Sequence, residues 1–150
     1  NPRAGEVDSV DYYFYSKEEF KEKKETCAFV EYNEYDNNYY GTPYSEIEKY
    51  SSSTPLFLIV DTHGMMSIMR KYPLSTSVFL VPPSIEELEK RIQTREANTT
   101  EEIERRIKEA HRELKNSDWY DYIVKNTDVE ECVDELEKIL RKRLEENGVL

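Results

Sequence analysis

Leu56-Phe57-Leu58-Ile59-Val60 is an uninterrupted apolar run closed by Asp61, and its reading decides the fold class. Such a run is what a parallel strand buried on both faces presents, since neither face can carry polar residues. The residues after it keep alternating strand and helix. A helix is predicted from about Gly64 to Tyr72, then a second buried strand, Ser77 to Val81, stopped by Pro82-Pro83. Ser84-x-x-Glu87 opens a helix with Ile85, Leu88 and Ile92 at helical spacing, and Thr99-x-x-Glu102 caps another with Ile103, Ile107, Ala110 and Leu114 on one stripe. Tyr122-Ile123-Val124 reads as a third short strand. Asp128-x-x-Glu131 then starts a terminal helix whose apolar positions are Val129, Cys132, Val133, Leu136, Ile139, Leu140 and Leu144. The expectation is an α/β fold around a parallel sheet.

Upstream of the Ser51-Ser52-Ser53-Thr54-Pro55 linker the pattern differs. Asp11 to Tyr15 is aromatic and strand-like, and Ser16 with Glu19 has capping-box spacing, so a helix should run from about Lys17 to Glu25. Phe29, Glu31, Asn33 and Tyr35 alternate with Val30, Tyr32 and Glu34, the period-2 signature of a strand. Asp36-Asn37-Asn38 is a turn signal, and Tyr39-Tyr40-Gly41 returns as the other arm of a hairpin. Nine of the twelve tyrosines lie before residue 51, so the aromatic surface of this small antiparallel lobe carries hydroxyl groups.

The 150 residues suit one domain, and their formal charge of −11 repels phosphate backbones and anionic membrane surfaces. Neither nucleic acid nor membrane is therefore an expected partner. The apolar runs are too short to span a bilayer, and no secretory signal is visible. Cys27 and Cys132 have no metal-ligand neighbours at short spacing and form no disulfide framework, which favours a reducing, cytoplasmic setting. No metal-ligand set stands out.

Gly5, Gly41, Gly64 and Gly148 are the four glycines; no two lie five apart and none precedes a lysine. A Walker A loop and a dinucleotide G-x-G-x-x-G are both excluded from this stretch. An anionic ligand must then be held by clustered Arg, Lys and Tyr. Arg91 and Arg95 project from one helical face, and Arg106 lies on the next helix, so three guanidinium groups could close on a polyphosphate. Ion pairing is the competing reading, because Glu87–Arg91 and Glu102–Arg106 are also four apart. Arg3, Tyr12, Glu31, Tyr40 and Thr42 offer a second set: a carboxylate with a hydroxyl suits the edge of guanine, and Arg with two phenols suits a phosphate. A solvated tyrosine-rich sheet with surface charges is the alternative.

The colinear fragments Asn1-Pro2-Arg3-Ala4-Gly5, Val10-Asp11-Tyr12-Tyr13-Phe14, Phe29-Val30-Glu31-Tyr32, Asn38-Tyr39-Tyr40-Gly41-Thr42, Val60-Asp61-x-x-Gly64, Pro82-Pro83-Ser84 and Arg91-x-x-x-Arg95 closely resemble guanylate kinases. The resemblance implies a P-loop nucleoside-monophosphate-kinase-like sheet with an inserted GMP-binding lobe and a helical lid. It implies a guanylate kinase-like domain over 1–150, with the GMP lobe at about 1–50, core at about 54–83 and 117–150, and lid at about 84–116. Arg3, Tyr12 and Tyr40 would hold the GMP phosphate, Glu31 and Thr42 would read guanine, and Asp61 would lie beside the nucleotide. Arg91, Arg95 and Arg106 would be lid and phosphoryl-transfer arginines, with Asn126 on the adenine side. Family members move the γ-phosphoryl of ATP, with Mg2+, to GMP. Non-catalytic relatives bind phosphorylated partner peptides instead, and a degenerate homologue would do neither.

Departures from the family accompany these matches. The strand, Walker A loop and helix with which the family's chain begins are absent from the 150 residues, and so is the second strand that ends in an arginine. The chain taken alone is therefore expected to be an inactive, truncated homologue. Ile59 stands where an acid is common, His63 where a Gln is usual, and Glu96 where a Gly follows the second lid arginine.

Overall fold

A computed structural model describes residues 2, 5–35, 38–50, 55–94 and 99–148. Its contacts divide the chain into two compact units that meet in sequence at Pro73 and Leu74.

The first unit opens with a turn rather than the expected strand over Asp11 to Tyr15. Asp8 Oδ1 accepts from the Phe14 N–H at 2.9 Å and Asp11 Oδ2 from the Val7 N–H at 2.8 Å. These aspartates offer the backbone local partners in place of a ladder, and Ser9 takes a left-handed φ of 62° at the bend. Helix α1 spans Lys17–Glu25 as the capping box predicts: Ser16 Oγ accepts from the Glu19 N–H, and the Ser16 N–H donates to Glu19 Oε2 at 2.7 Å. Strands β1 (Phe29–Tyr35) and β2 (Asn38–Pro43) pair antiparallel, with Glu31 opposite Thr42 and Asn33 opposite Tyr40. The turn expected at Asp36-Asn37 lies outside the described residues. Phe20 of α1 stacks on Phe29 with ring centroids 4.5 Å apart, covering one face of the hairpin.

Helix α2 (Tyr44–Tyr50) follows Pro43 directly and was not anticipated. Its Ile47 joins Val30 and Ile68 in the core, with Tyr44 and Leu58 packed against them. The larger correction concerns residues 56–60, which form no strand among the described residues. Phe57 is 67% exposed and Ile59 fully so, while Leu58 reaches the core. A strand needs at least one ladder partner for its backbone N–H and C=O groups, and among the described residues no strand pairs with this run. Helix α3 (Thr62–Lys71) begins immediately after it, capped by Asp61, whose Oδ1 accepts from the Gly64 N–H at 2.8 Å.

In the second unit, β3 (Val78–Val81) and β4 (Tyr122–Lys125) form a parallel pair in the register Val78–Tyr122 to Val81–Lys125. This pair makes the fold α/β with a parallel sheet. The connection runs through α4 (Ile85–Thr94), α5 (Thr100–Leu114) and a 3₁₀ turn at Ser117–Trp119. Ser84, Thr99 and Asp128 cap α4, α5 and the terminal α6 (Val129–Glu146), the three starts expected from the sequence. Asp121 ties the strand starts together, accepting from both the N–H and the hydroxyl of Ser77 at 2.8 Å. Val124 and Cys132 are buried. Ile85, Val129 and Val133, assigned to apolar stripes, are exposed, because each lies in the first turn or at the margin of its helix's covered face. No helix among the described residues is long and apolar enough to cross a membrane.

Candidate functional site

The alternation of β1 puts Glu31 and Asn33 on one strand face, and α3 packs against that strand with its amino end near Glu31. Glu31 is buried at 8% exposure, unusual for a carboxylate, and its Oε1 accepts from the Thr42 hydroxyl at 2.6 Å across the hairpin. Burial pushes the Glu31 carboxyl above the usual range; the Thr42 hydrogen bond opposes this, and the nearby Asp61 charge adds to it. Asp61 is itself fixed twice, by the Gly64 N–H and by the Asn33 side-chain amide.

Gly64 makes the approach possible. A Cβ there would stand 2.9 Å from Val60 Cβ and 3.0 Å from Glu31 Oε2, so only glycine lets the carboxylate rest on the head of α3. Gly41 plays a similar part in β2, where a Cβ would meet the Glu31 carbonyl oxygen at 2.9 Å. At the far end of α3, Lys71 Nζ donates to the Val30 carbonyl at 2.6 Å and lies over the Tyr44 ring. Between β1 and α3 runs a cleft of about 400 Å³ whose lining includes Glu31, Asn33, His63, Ser67 and Arg70.

Tyr12 and Tyr40 meet edge to face with ring centroids 6.4 Å apart, both substantially exposed, so their hydroxyls are available to a ligand. Arg3 lies outside the described residues. The first unit thus brings Glu31, Thr42 and Asp61 into one cluster and Tyr12 and Tyr40 into contact.

The second unit carries the remaining candidates. Arg91 Nε bonds Glu87 Oε1 at 3.0 Å, the i,i+4 pair that spacing offered, with both side chains partly exposed. Arg95 lies outside the described residues. Arg106 is half-buried on α5, and Glu102 Oε2 accepts from the Thr99 N–H at the cap. Asn126 follows β4, its N–H donating to the Val81 carbonyl at 2.8 Å. Among the described residues no group of three or more His, Cys, Asp or Glu is placed to hold a metal ion. Asn33 and Lys71 were not singled out in the sequence; the period-2 alternation that sets Asn33 on the face of Glu31 was the available signal.

A family model for guanylate kinase matches residues 1–143. Guanylate kinase of Prochlorococcus marinus is 42% identical over 142 residues, covering 94% of this chain and 77% of the relative. That of Wolbachia from Brugia malayi is 41% identical over 153 residues, covering 99% and 77%. Among solved structures, guanylate kinase from Anaplasma phagocytophilum superposes with a TM-score of 0.81 at 31% identity, covering 95% of this chain and 70% of that one.

Proposed function

Because this chain belongs to the guanylate kinase family, we propose that it is the GMP-binding and lid portion of an ATP:GMP phosphotransferase. The observation that carries this reading is the Glu31 carboxylate, buried, held by Thr42 and standing beside Asp61. A buried carboxylate is costly unless donors satisfy it. Guanine presents two adjacent N–H donors that one carboxylate can accept together, and adenine does not. Arg3, Tyr12 and Tyr40 then hold the monophosphate, and Asp61 flanks the base. Arg91, Arg95 and Arg106 neutralise the transferring phosphoryl, since such transfer depends on positioning and electrostatics. Asn126 serves the adenine side.

The family's donor is ATP with Mg2+, which supplies the γ-phosphoryl. The residues present do not fit that group by themselves: the chain has no Walker A loop, and Ile59 stands where an acid is common. Their own chemistry is to bind GMP and present guanidinium groups. The two free thiols, Cys27 and Cys132, suit a reducing cytoplasm.

Calorimetric titration tests the assignment. The chain should prefer GMP to AMP, and Glu31→Gln should remove that preference, because an amide oxygen does not accept from both guanine donors with a carboxylate's strength. An unchanged preference in the variant overturns Glu31 as the reader. Equal affinity for GMP and AMP in the unaltered chain instead supports a non-catalytic module that takes a phosphorylated partner through Arg3, Tyr12 and Tyr40. A coupled ADP-release assay on the 150-residue chain should show no GMP-dependent ATP consumption.

A further inference from the structure

Glu31 lies on β1 and Asp61 at the head of α3, and the Asn33 side chain spans the two elements. Its Nδ2 donates to Asp61 Oδ2, twenty-eight residues away in sequence, while its Oδ1 accepts from the Glu34 N–H at 2.9 Å. With a backbone donor on one side and a carboxylate on the other, the amide has a single satisfactory orientation. The second oxygen of Asp61 caps α3 through the Gly64 N–H, and Gly64 is the residue against which the Glu31 carboxylate rests. A continuous set of contacts therefore runs Asn33, Asp61, Gly64, Glu31. Two carboxylates held this close repel one another, and the Asn33 amide is a neutral donor that occupies Asp61 without cancelling the charge of Glu31.

We propose that Asn33 is a positioning residue for base recognition: by anchoring Asp61 it holds the head of α3 against β1, and so keeps the Glu31 carboxylate where a purine edge with adjacent N–H donors can meet it. The role rests on Glu31 being the base reader. It follows that Asn33 governs discrimination between bases rather than affinity for the phosphate.

GMP and AMP share ribose and phosphate, so the ratio of their affinities isolates the base. Calorimetric titration of the intact chain with each nucleotide at pH 7, repeated for Asn33→Leu, Asn33→Ser and Asn33→Gln, tests the role. Asn33→Leu keeps the branching at Cγ and removes the donor; GMP affinity should fall about tenfold or more, the loss expected for one charge-assisted contact, with AMP affinity unchanged. Asn33→Gln retains an amide and should recover part of the ratio, which a purely structural role does not require. If Asn33→Leu fails to fold, as judged by circular dichroism, Asn33→Ser carries the same test with a smaller side chain whose hydroxyl is too short to span the gap. A ratio unchanged in every variant, or equal losses for both nucleotides, overturns the role of Asn33 while leaving Glu31 in place. An intact chain that does not prefer GMP overturns the base reading itself and the Asn33 role with it.

Discussion

The hairpin β1–β2 and the parallel pair β3–β4 each use two strands to hide apolar side chains, and they succeed to different degrees. The hairpin strands are sequence neighbours, and α1, α2 and α3 of the same unit cover them, leaving Phe20, Phe29, Val30, Ile47 and Ile68 buried. The strands of the parallel pair are separated by two helices, and Leu80 and Ile123 remain about half exposed at 46% and 50%. An antiparallel pair can finish its core from local sequence, whereas a parallel pair relies on covering layers and strand neighbours from far along the chain. The polar cluster around Glu31 is built on the element that completes itself.

The largest effect should come from removing an aromatic ring at the centre of the hairpin unit. Phe29→Ala vacates the stack on Phe20 and should cost about 3–5 kcal/mol, whereas Ile59→Ser should fall within about 0.5 kcal/mol of neutral. Urea unfolding of both variants checks the contrast, and comparable losses would break it. Next in size, Asp121→Ala deprives the buried Ser77 of its carboxylate partner and should cost about 1.5–3 kcal/mol. Amide exchange should then quicken in β3 and β4 while β1 and β2 keep their protection.

A smaller effect concerns pH. The Glu31 carboxyl is held above its ordinary value, mainly by burial, so the folded state binds its proton more tightly than the unfolded chain does. Its contribution to stability is fully present below the unfolded value near 4.5 and is lost as pH rises through the elevated folded value. Glu31→Gln should therefore be more stable than the parent at neutral pH and level with it in acid, as thermal melts at the two pH values would show. Smallest of all, Arg91→Ala breaks a partly exposed ion pair and should cost at most about 1 kcal/mol. A large fall in its thermal midpoint would make Arg91 a structural residue.

Short-range signals were the legible ones. Ser16, Thr99 and Asp128 mark helix starts because a hydroxyl or carboxylate satisfies orphan N–H groups within the next turn, a constraint carried by adjacent residues. The β1 alternation likewise exposes its facing in the sequence, setting Glu31 on the face opposite Val30, whereas the pairing of Glu31 with Thr42 across the hairpin is a matter of register that the alternation does not carry. Apolarity alone misled at residues 56–60, since an apolar run states what must be covered and not what covers it. Asp11 to Tyr15 failed for the opposite reason: Asp8 and Asp11 supply local acceptors that outcompete a ladder. Asn33 was hidden because its partner is remote, and an amide on a strand face announces nothing until Asp61 arrives beside it.

The run Leu56–Val60, in which Leu56, Phe57 and Ile59 are exposed while Leu58 packs on the core, bears on how these residues behave in concentrated solution. Five β-prone residues without a charge or proline among them can stack in register with identical segments of neighbouring molecules, forming the dry interdigitated sheets of a fibril. Pro55 and Asp61 stand at its two ends as gatekeepers against such growth. Mutual repulsion from a net charge of −11 guards against it as well. That second guard weakens as acidification approaches the isoelectric point near 4.8.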